Sequence, residues 1–250
     1  MTSSPFCRFD LRTTDPTAAQ RFYADVVGLD VVGVPSSEEP SMLAIWLLHE
    51  QARARGAVPH WLGHIGVADV ETTVHRLLDR GSERLGPSLR ASDGTPFAIL
   101  RDPSGAVLAV RTSSRRPLRP PVAWHHLHTR DLDGAWDTYS QLFGWTQVEP
   151  LDDVTDAVGR YRVFAWEAPG PSVGSMANTA RREGVHPHWL FFFSVADIEH
   201  ILARVRAHGG QAPTAVTVLP NGARVAACED GQGAAFGLYQ PHLEDVTTPP

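Results

Sequence analysis

At 250 residues, with 42% hydrophobic and 20% charged side chains, the chain has the size and composition of one large globular domain or two ordinary ones. A net charge of -6 offers no basic excess and argues against a nucleic-acid partner, although a local basic pocket remains compatible with it. No apolar run approaches the roughly 18 residues that span a bilayer. The start Met1-Thr2-Ser3-Ser4-Pro5 lacks a secretion-signal pattern, and two cysteines are too few for a disulfide framework or a cysteine zinc site, so a cytoplasmic protein is expected.

The first element, Cys7 to Thr13, alternates, with Cys7, Phe9 and Leu11 on one face and Arg8, Asp10 and Arg12 on the other. Asp15 then predicts a helix N-cap followed by Pro16, with Ala19, Phe22, Tyr23 and Val26 at helical spacing and Gly28 as the stop. A second strand, His60 to Val67, puts Trp61, Ile65 and Val67 on one face and His60 and His64 on the other. Asp69 caps the next helix, whose buried stripe is Val70, Val74, Leu77 and Leu78 and whose stop is Gly81. Strands around Phe97 to Arg101 and Ala106 to Arg111 follow, joined by the turn Asp102-Pro103-Ser104-Gly105.

The same landmarks then recur. Asp15, Tyr23 and Gly28 return as Asp131, Tyr139 and Gly144 at an offset of 116, while His60-Trp61-Leu62, Gly81 and Asp102 return as His188-Trp189-Leu190, Gly209 and Asp230 at an offset of 128. The second copy therefore carries 12 extra residues between its halves. Two tandem domains, 1–115 and 122–245, are expected around an Arg/Pro-rich linker at 116–121.

In each copy the apolar strand faces must pack on the helices. The opposite faces carry Arg8, Asp10, Arg12, His60 and His64 in the first copy. In the second they carry Trp124, His126, His128, His188 and Phe192, with Tyr239 on the last strand. Such a mixture of aromatic, histidine and charged groups suits a concave ligand pocket, the plainer alternative being a wetted sheet face. Trp124, Phe192 and Tyr239 would stack on a flat ligand, and Arg8 and Arg12 would bind an anion unless Asp10 pairs with them. His126 and His128 would be an acid-base pair or simply polar lining. Cys7 is expected among the helix-packing residues as a small buried hydrophobe, and Trp61, Trp189 and His125 on the helix side as well.

The repeated sheet-and-helix unit, together with the Asp-Pro-Ser-Gly turn and the stretch from Pro187 to Asp197, resembles the vicinal oxygen chelate superfamily. That group contains glyoxalase I, bleomycin-resistance proteins, fosfomycin-resistance enzymes and extradiol dioxygenases. Pro187 to Asp197 and Gly233-Ala234-Ala235-Phe236 are similar to a tandem two-domain actinobacterial branch often labelled hydroxylase or glyoxalase-like antigen. The resemblance implies an α+β fold in which each domain is a pair of βαβββ modules forming a U-shaped half-barrel sheet. It also implies, in the metal-using members, ligands from both leading strands and an acid on the last strand. Counted from the capping aspartates, those positions fall at Arg8, Leu62 and Ala109 in one copy and Trp124, Leu190 and Gly237 in the other, none of them a metal ligand.

The expectation is accordingly a small-molecule-binding protein without a cofactor, capturing an aromatic or amphipathic ligand as a monomer or homodimer, with resistance by sequestration as one use. The alternative is an enzyme, a lyase, dioxygenase or hydroxylase-like protein working through Asp10 and His64 or through His126 and His128. Displaced divalent-metal ligation would belong to that alternative.

Overall fold

A computed structural model describes residues 3–29, 42–91, 93–113, 122–148, 160–213, 215–219 and 222–242. The expected linker at 116–121 lies outside them. The first repeat forms β1 (Phe6–Thr13), α1 (Pro16–Val27), β2 (Leu43–Leu47), a short α2 (Glu50–Ala54), β3 (His60–Val67), α3 (Val70–Leu78), β4 (Glu83–Arg84), β5 (Leu89–Arg90), β6 (Pro96–Arg101) and β7 (Val107–Thr112). The second forms β8 (Val122–His128), α4 (Leu132–Phe143), β9 (Thr146–Gln147), β10 (Tyr161–Ala165), β11 (Gly174–Ala177) and a 3-10 turn (Asn178–Arg181). It continues with β12 (His188–Ser194), α5 (Ile198–Ala207), β13 (Thr217–Val218), β14 (Arg224–Glu229) and β15 (Ala235–Gln240). Among these residues no helix is long and apolar enough to cross a membrane.

The class is α+β, with two mixed sheets curled as half-barrels. One runs β2-β1-β3-β7-β6-β4 with β5 beside β6, and the other β13-β14-β15-β12-β8-β11-β10-β9. The local signals read in the sequence work as chemistry requires. Asp15, Asp69, Asp131 and Asp197 each accept the backbone N–H three residues on, at 3.0, 2.6, 3.1 and 3.1 Å, satisfying an otherwise orphaned helix donor. Gly28 and Gly144 end α1 and α4 at φ values of 71° and 70°, where a side chain would be strained.

Two expectations fail. Leu78 is 38% exposed rather than buried, because α3 presents Val70, Val74 and Leu77 to the core and Leu78 falls past the edge of that stripe. Strict alternation also fails at the start of β1. Phe6 and Phe9 both meet the His125 ring, at 5.1 and 5.8 Å between centroids, so Cys7 does not share the helix-packing side. Its thiol lies beside Ser113 and the charges of Arg111 and Arg8.

The described residues pack as two compact units that do not coincide with the two repeats. The first takes Met1–Phe9, Leu62–Arg119 and His125–Leu190, and the second takes Asp10–Trp61, Pro120–Trp124 and Phe191–Pro250. In the first unit α3 packs on α4 over a core of Phe6, Tyr139, Trp145, Phe164, Trp166 and Trp189, where Trp145 stacks on Phe164 at 4.8 Å and 7°. In the second unit α1 packs on α5 over Phe22, Tyr23, Trp61, Phe193 and Phe236.

Each unit is tied across the repeats by one buried relay. In the first, Trp189 Nε1 donates to the Tyr139 hydroxyl at 3.2 Å, which donates to Asp102 Oδ2 at 3.2 Å. The other Asp102 oxygen accepts the backbone N–H groups of Ser104, Gly105 and Ala106 at 2.8–2.9 Å. In the second, Trp61 Nε1 donates to Tyr23 at 2.9 Å and Tyr23 to Asp230 Oδ2 at 3.3 Å. Burial pushes both carboxyls and both phenols up, so each relay survives only because its buried polar atoms are paired. These are the residues that recur between the repeats, and their recurrence is thereby explained as structural.

Candidate functional site

The strand faces expected to line a pocket are occupied as follows. In the first unit, Arg8 is buried near Cys7, Asp93 and Arg111, and His64 is buried with its ring 5.6 Å from Phe97. Arg111 Nη2 lies 2.6 Å from Asp93 Oδ2. Burial pushes the Asp93 carboxyl up, but hydrogen bonds from Thr95 and the charges of Arg111 and Arg8 bring it below the usual carboxylate range. Arg111 and Asp93 were not picked out from the sequence. Alternation along β7 from Ala109 would have found Arg111, since its register partner Gly66 follows His64 on the same face.

In the second unit, Asp10 is buried and accepts from Arg12 Nη2 at 3.2 Å, the ion-pair alternative for that strand. The Arg12 guanidinium also lies 5.7 Å over the Trp46 ring. His60 is half-buried, its Nδ1 2.7 Å from the Val58 carbonyl, and burial together with the Arg12 charge holds it below the ordinary histidine value.

The face of β8 divides between the units. In the second, the rings of Trp124 and Tyr239 are near-parallel, 6.2 Å apart at 9°. Phe192 stands opposite Gly237 in the β12–β15 pairing. A Cβ placed on Gly237 would lie 2.2 Å from Phe192 Cδ1 and 2.3 Å from Cγ, so the phenyl ring fills the space an acidic side chain there would need. In the first unit His126, His128 and His188 are half-buried and gathered together, with His126 and His128 ring centroids 4.4 Å apart and His128 and His188 4.5 Å apart. Ser175 and Thr179, which hold His126 and His128, lie between the repeat landmarks and gave no sequence signal.

The donor sets do not fit the metal that the resemblance implies. Leu62, Leu190, Trp124 and Ala109 supply no ligand atom, the acid position at Gly237 is filled by Phe192, and among the described residues no three His, Cys, Asp or Glu are arranged to hold a metal ion.

Burial lowers His125 to about 4, and burial with the neighbouring His188 lowers His126 to about 4. Unfolded histidines titrate near 6.5, so between pH 6.5 and about 4 the unfolded chain binds protons that the folded one refuses. Stability is therefore complete above pH 6.5 and is lost as pH falls, by about 1.4 kcal/mol per pH unit for each such histidine. Urea midpoints measured from pH 7.5 to 4.5 should fall, and His126→Asn should flatten the slope. An unchanged slope would mean that His126 is not held neutral.

Two family models match the chain. The Glyoxalase/Bleomycin resistance protein/Dioxygenase superfamily model matches residues 122–238 and the Glyoxalase-like domain model matches residues 8–111. CFP32 of Mycobacterium tuberculosis (strain CDC 1551 / Oshkosh), which carries glyoxylase in its name, is 27% identical over 93% of both chains. The anthracycline biosynthesis protein DnrV of Streptomyces peucetius is 24% identical, over 93% of this chain and 91% of its own. The 2,3-dioxygenase LapB from Pseudomonas sp. KL28 shares the fold at a TM-score of 0.65 and 13% identity, covering 98% of this chain and 96% of that one. With two half-barrel sheets, a family match on each repeat and relatives aligned along nearly the whole length, the chain belongs to the vicinal oxygen chelate superfamily of glyoxalases, bleomycin-resistance proteins and dioxygenases.

Proposed function

We propose that this protein binds a small aromatic or amphipathic molecule without a metal, through its second repeat, and that sequestration of that molecule in the cytoplasm is its use. The observation that carries the reading is the Phe192 ring lying where the acid ligand of a metal-using member would project from position 237. In the same unit the ring of Trp124 on β8 is buried near-parallel to the half-buried ring of Tyr239 on β15, an offset stack that a flat partner at Tyr239 would extend. DnrV is named for anthracycline biosynthesis, and anthracyclines are fused-ring aromatics, a shape these rings suit. The sequence repeats at 1–115 and 122–245 are retained as the two domains of this reading.

Calorimetric titration with a panel of fused-ring aromatics is the test. A ligand should bind with micromolar affinity to protein stripped of metal by chelation, and Trp124→Ala should weaken it about tenfold, the value of a lost aromatic stack. Undiminished binding by that variant, or binding that requires added metal, would remove the reading. The second reading, an enzyme using His126 and His128, is favoured by the 4.4 Å approach of those rings. It predicts a turned-over product rather than a recovered ligand.

A further inference from the structure

The two units share one plan but fill it differently. In the first, a cavity of about 440 Å³ opens between α4, the end of α3 and the Asp102 turn, and every residue lining it belongs to that unit. Gly134, Ala135 and Thr138 of α4 form one wall, Ser104 of the turn stands on another, and the buried Asp102 and Tyr139 are its deepest members. Beside it Arg80 Nη2 donates to Gln141 Oε1 at 2.6 Å, and Gln141 Nε2 donates to Asp137 Oδ1 at 2.8 Å.

The second unit shows which side chains occupy the equivalent places. The offsets of 116 and 128 pair Thr138 with Phe22, Gly134 with Ala18 and Ser104 with Gln232. The backbone bears out the correspondence, since the Ser82 N–H meets the Leu77 carbonyl at 3.0 Å just as the Gly210 N–H meets Val205 at 2.9 Å. Phe22 is buried there, edge-on to Tyr23 and Phe236 with ring centroids 5.3 and 6.0 Å away. The Gln232 carboxamide closes on the start of α1, accepting from the Asp15 N–H at 2.5 Å and the Thr14 hydroxyl at 2.7 Å and donating to the Asp15 carbonyl at 2.9 Å. In the first unit all three side chains are smaller. Gly134 and Thr138 lie one turn apart on one face of α4, so their losses fall on the same wall, and Ser104 reaches only the Thr129 hydroxyl, at 2.7 Å. Ala19 is 1% exposed in the filled unit, whereas its counterpart Ala135 is only half-buried.

We propose that this cavity binds a small neutral molecule with one aromatic ring and an N–H or O–H donor, its ring taking the space that Phe22 takes in the second unit. It is a second site, in the first unit, beyond the aromatic capture assigned to Trp124 and Tyr239. The room is sufficient, since a cavity of about 150 Å³ already accommodates benzene. The donor has an acceptor in Asp102. Among the described residues its Oδ2 receives only the Tyr139 hydroxyl, at 3.2 Å, and a carboxylate oxygen can accept a second hydrogen. Charge excludes an acid, because Asp102, Asp131 and Asp137 outnumber Arg80, whose guanidinium is already held by Gln141. A further group points the same way. A Cβ on Gly210 would lie 3.1 Å from Phe22 Cε2, and the residue standing at that place in the first unit is Ser82. Its buried hydroxyl meets no hydrogen-bond partner among the described residues, which costs stability until a further group pairs with it. No bond is made or broken.

The test titrates the full chain by calorimetry with benzamide and with benzoate, its anionic isostere, and follows nuclear Overhauser contacts from the probe to the Thr138 methyl group. Benzamide should bind with about millimolar affinity, the range open to so small a ligand, and should show the Thr138 contact. Benzoate should bind at least about tenfold more weakly. Thr138→Phe supplies the ring that the second unit carries, so it should abolish binding while the melting temperature holds or rises. Ser104→Gln supplies the second unit's carboxamide at the half-buried rim and covers the case in which the larger ring disturbs the core. It should weaken benzamide at least about threefold. Benzamide binding that the folded variants leave unchanged, or that shows no contact with Thr138, overturns this site and leaves capture at Trp124 intact. No saturable binding at about ten times the expected dissociation constant overturns it too. Benzoate bound as tightly as benzamide would overturn the assigned ligand class.

Discussion

Cutting the chain at residues 116–121 and producing 1–115 and 122–245 separately should yield no folded monomer from either piece. Each compact unit takes half of each repeat, so either fragment alone lacks the partner of its buried groups. Fragment 1–115 would hold Asp102 without Tyr139, and fragment 122–245 would hold Asp230 without Tyr23. Phe6 would lose the rings of His125, Trp145, Trp166 and Trp189. Lost aromatic burial at about 25 cal/mol per Å², together with an unpaired buried carboxyl costing about 1–3 kcal/mol, is comparable with the whole stability of a small domain. Sedimentation and urea unfolding should show each piece unfolded or self-associated, and mixing them should restore a cooperative transition near that of the intact chain. A monomeric fragment as stable as the whole protein would refute this. Within the intact chain, Tyr139→Phe isolates the same effect at one atom. It should cost about 1–3 kcal/mol, since one oxygen of Asp102 loses its donor.

Gly237→Ala, the smallest change available in the chain, should destabilise it by about 1–3 kcal/mol. The new methyl would lie 2.2–2.6 Å from three atoms of Phe192, well inside contact distance, and Phe192 is itself buried. Losing a glycine stiffens the unfolded chain and offsets about 0.4–1 kcal/mol of this, so the measured loss is the difference. Phe192→Leu in the same background should recover part of the stability, making the pair non-additive in a double-mutant cycle. Additive or neutral behaviour would place the ring away from position 237. The same crowding predicts that Gly237→Glu alone creates no metal affinity, because the carboxylate has no room to enter.

Much of the fold was legible in the sequence because its signals are local. A helix cap is decided within four residues by an aspartate and the N–H it faces, and β3 and α1 fell where alternation and helical spacing put them. The candidate site was legible as far as single strands go, since Trp124, His126 and His128 share one face of β8 by period two. Period two was also where the reading broke. Phe6 and Phe9 both reach the same core cluster, drawing Cys7 away from the helices, because the gain from burying two phenyl rings outweighs regular alternation over two residues. Ser175 and Thr179 were invisible because a hydroxyl that meets a ring nitrogen has no sequence pattern of its own.

The sequence by itself determined the duplication, the α+β class, the capping aspartates, the turns at Asp102 and Asp230 and the absence of ligating side chains at the family's metal positions. Only the tertiary structure decided that each aspartate pairs with the tyrosine of the other repeat, that Phe192 fills the space above Gly237 and that the imidazoles of His126, His128 and His188 gather together. The physical reason is common to all three. Tyr23 and Tyr139 are chemically equivalent partners for either aspartate, and a ring or an imidazole is equally suited to core or cleft, so the choice rests on the packing of the whole chain and on no local preference.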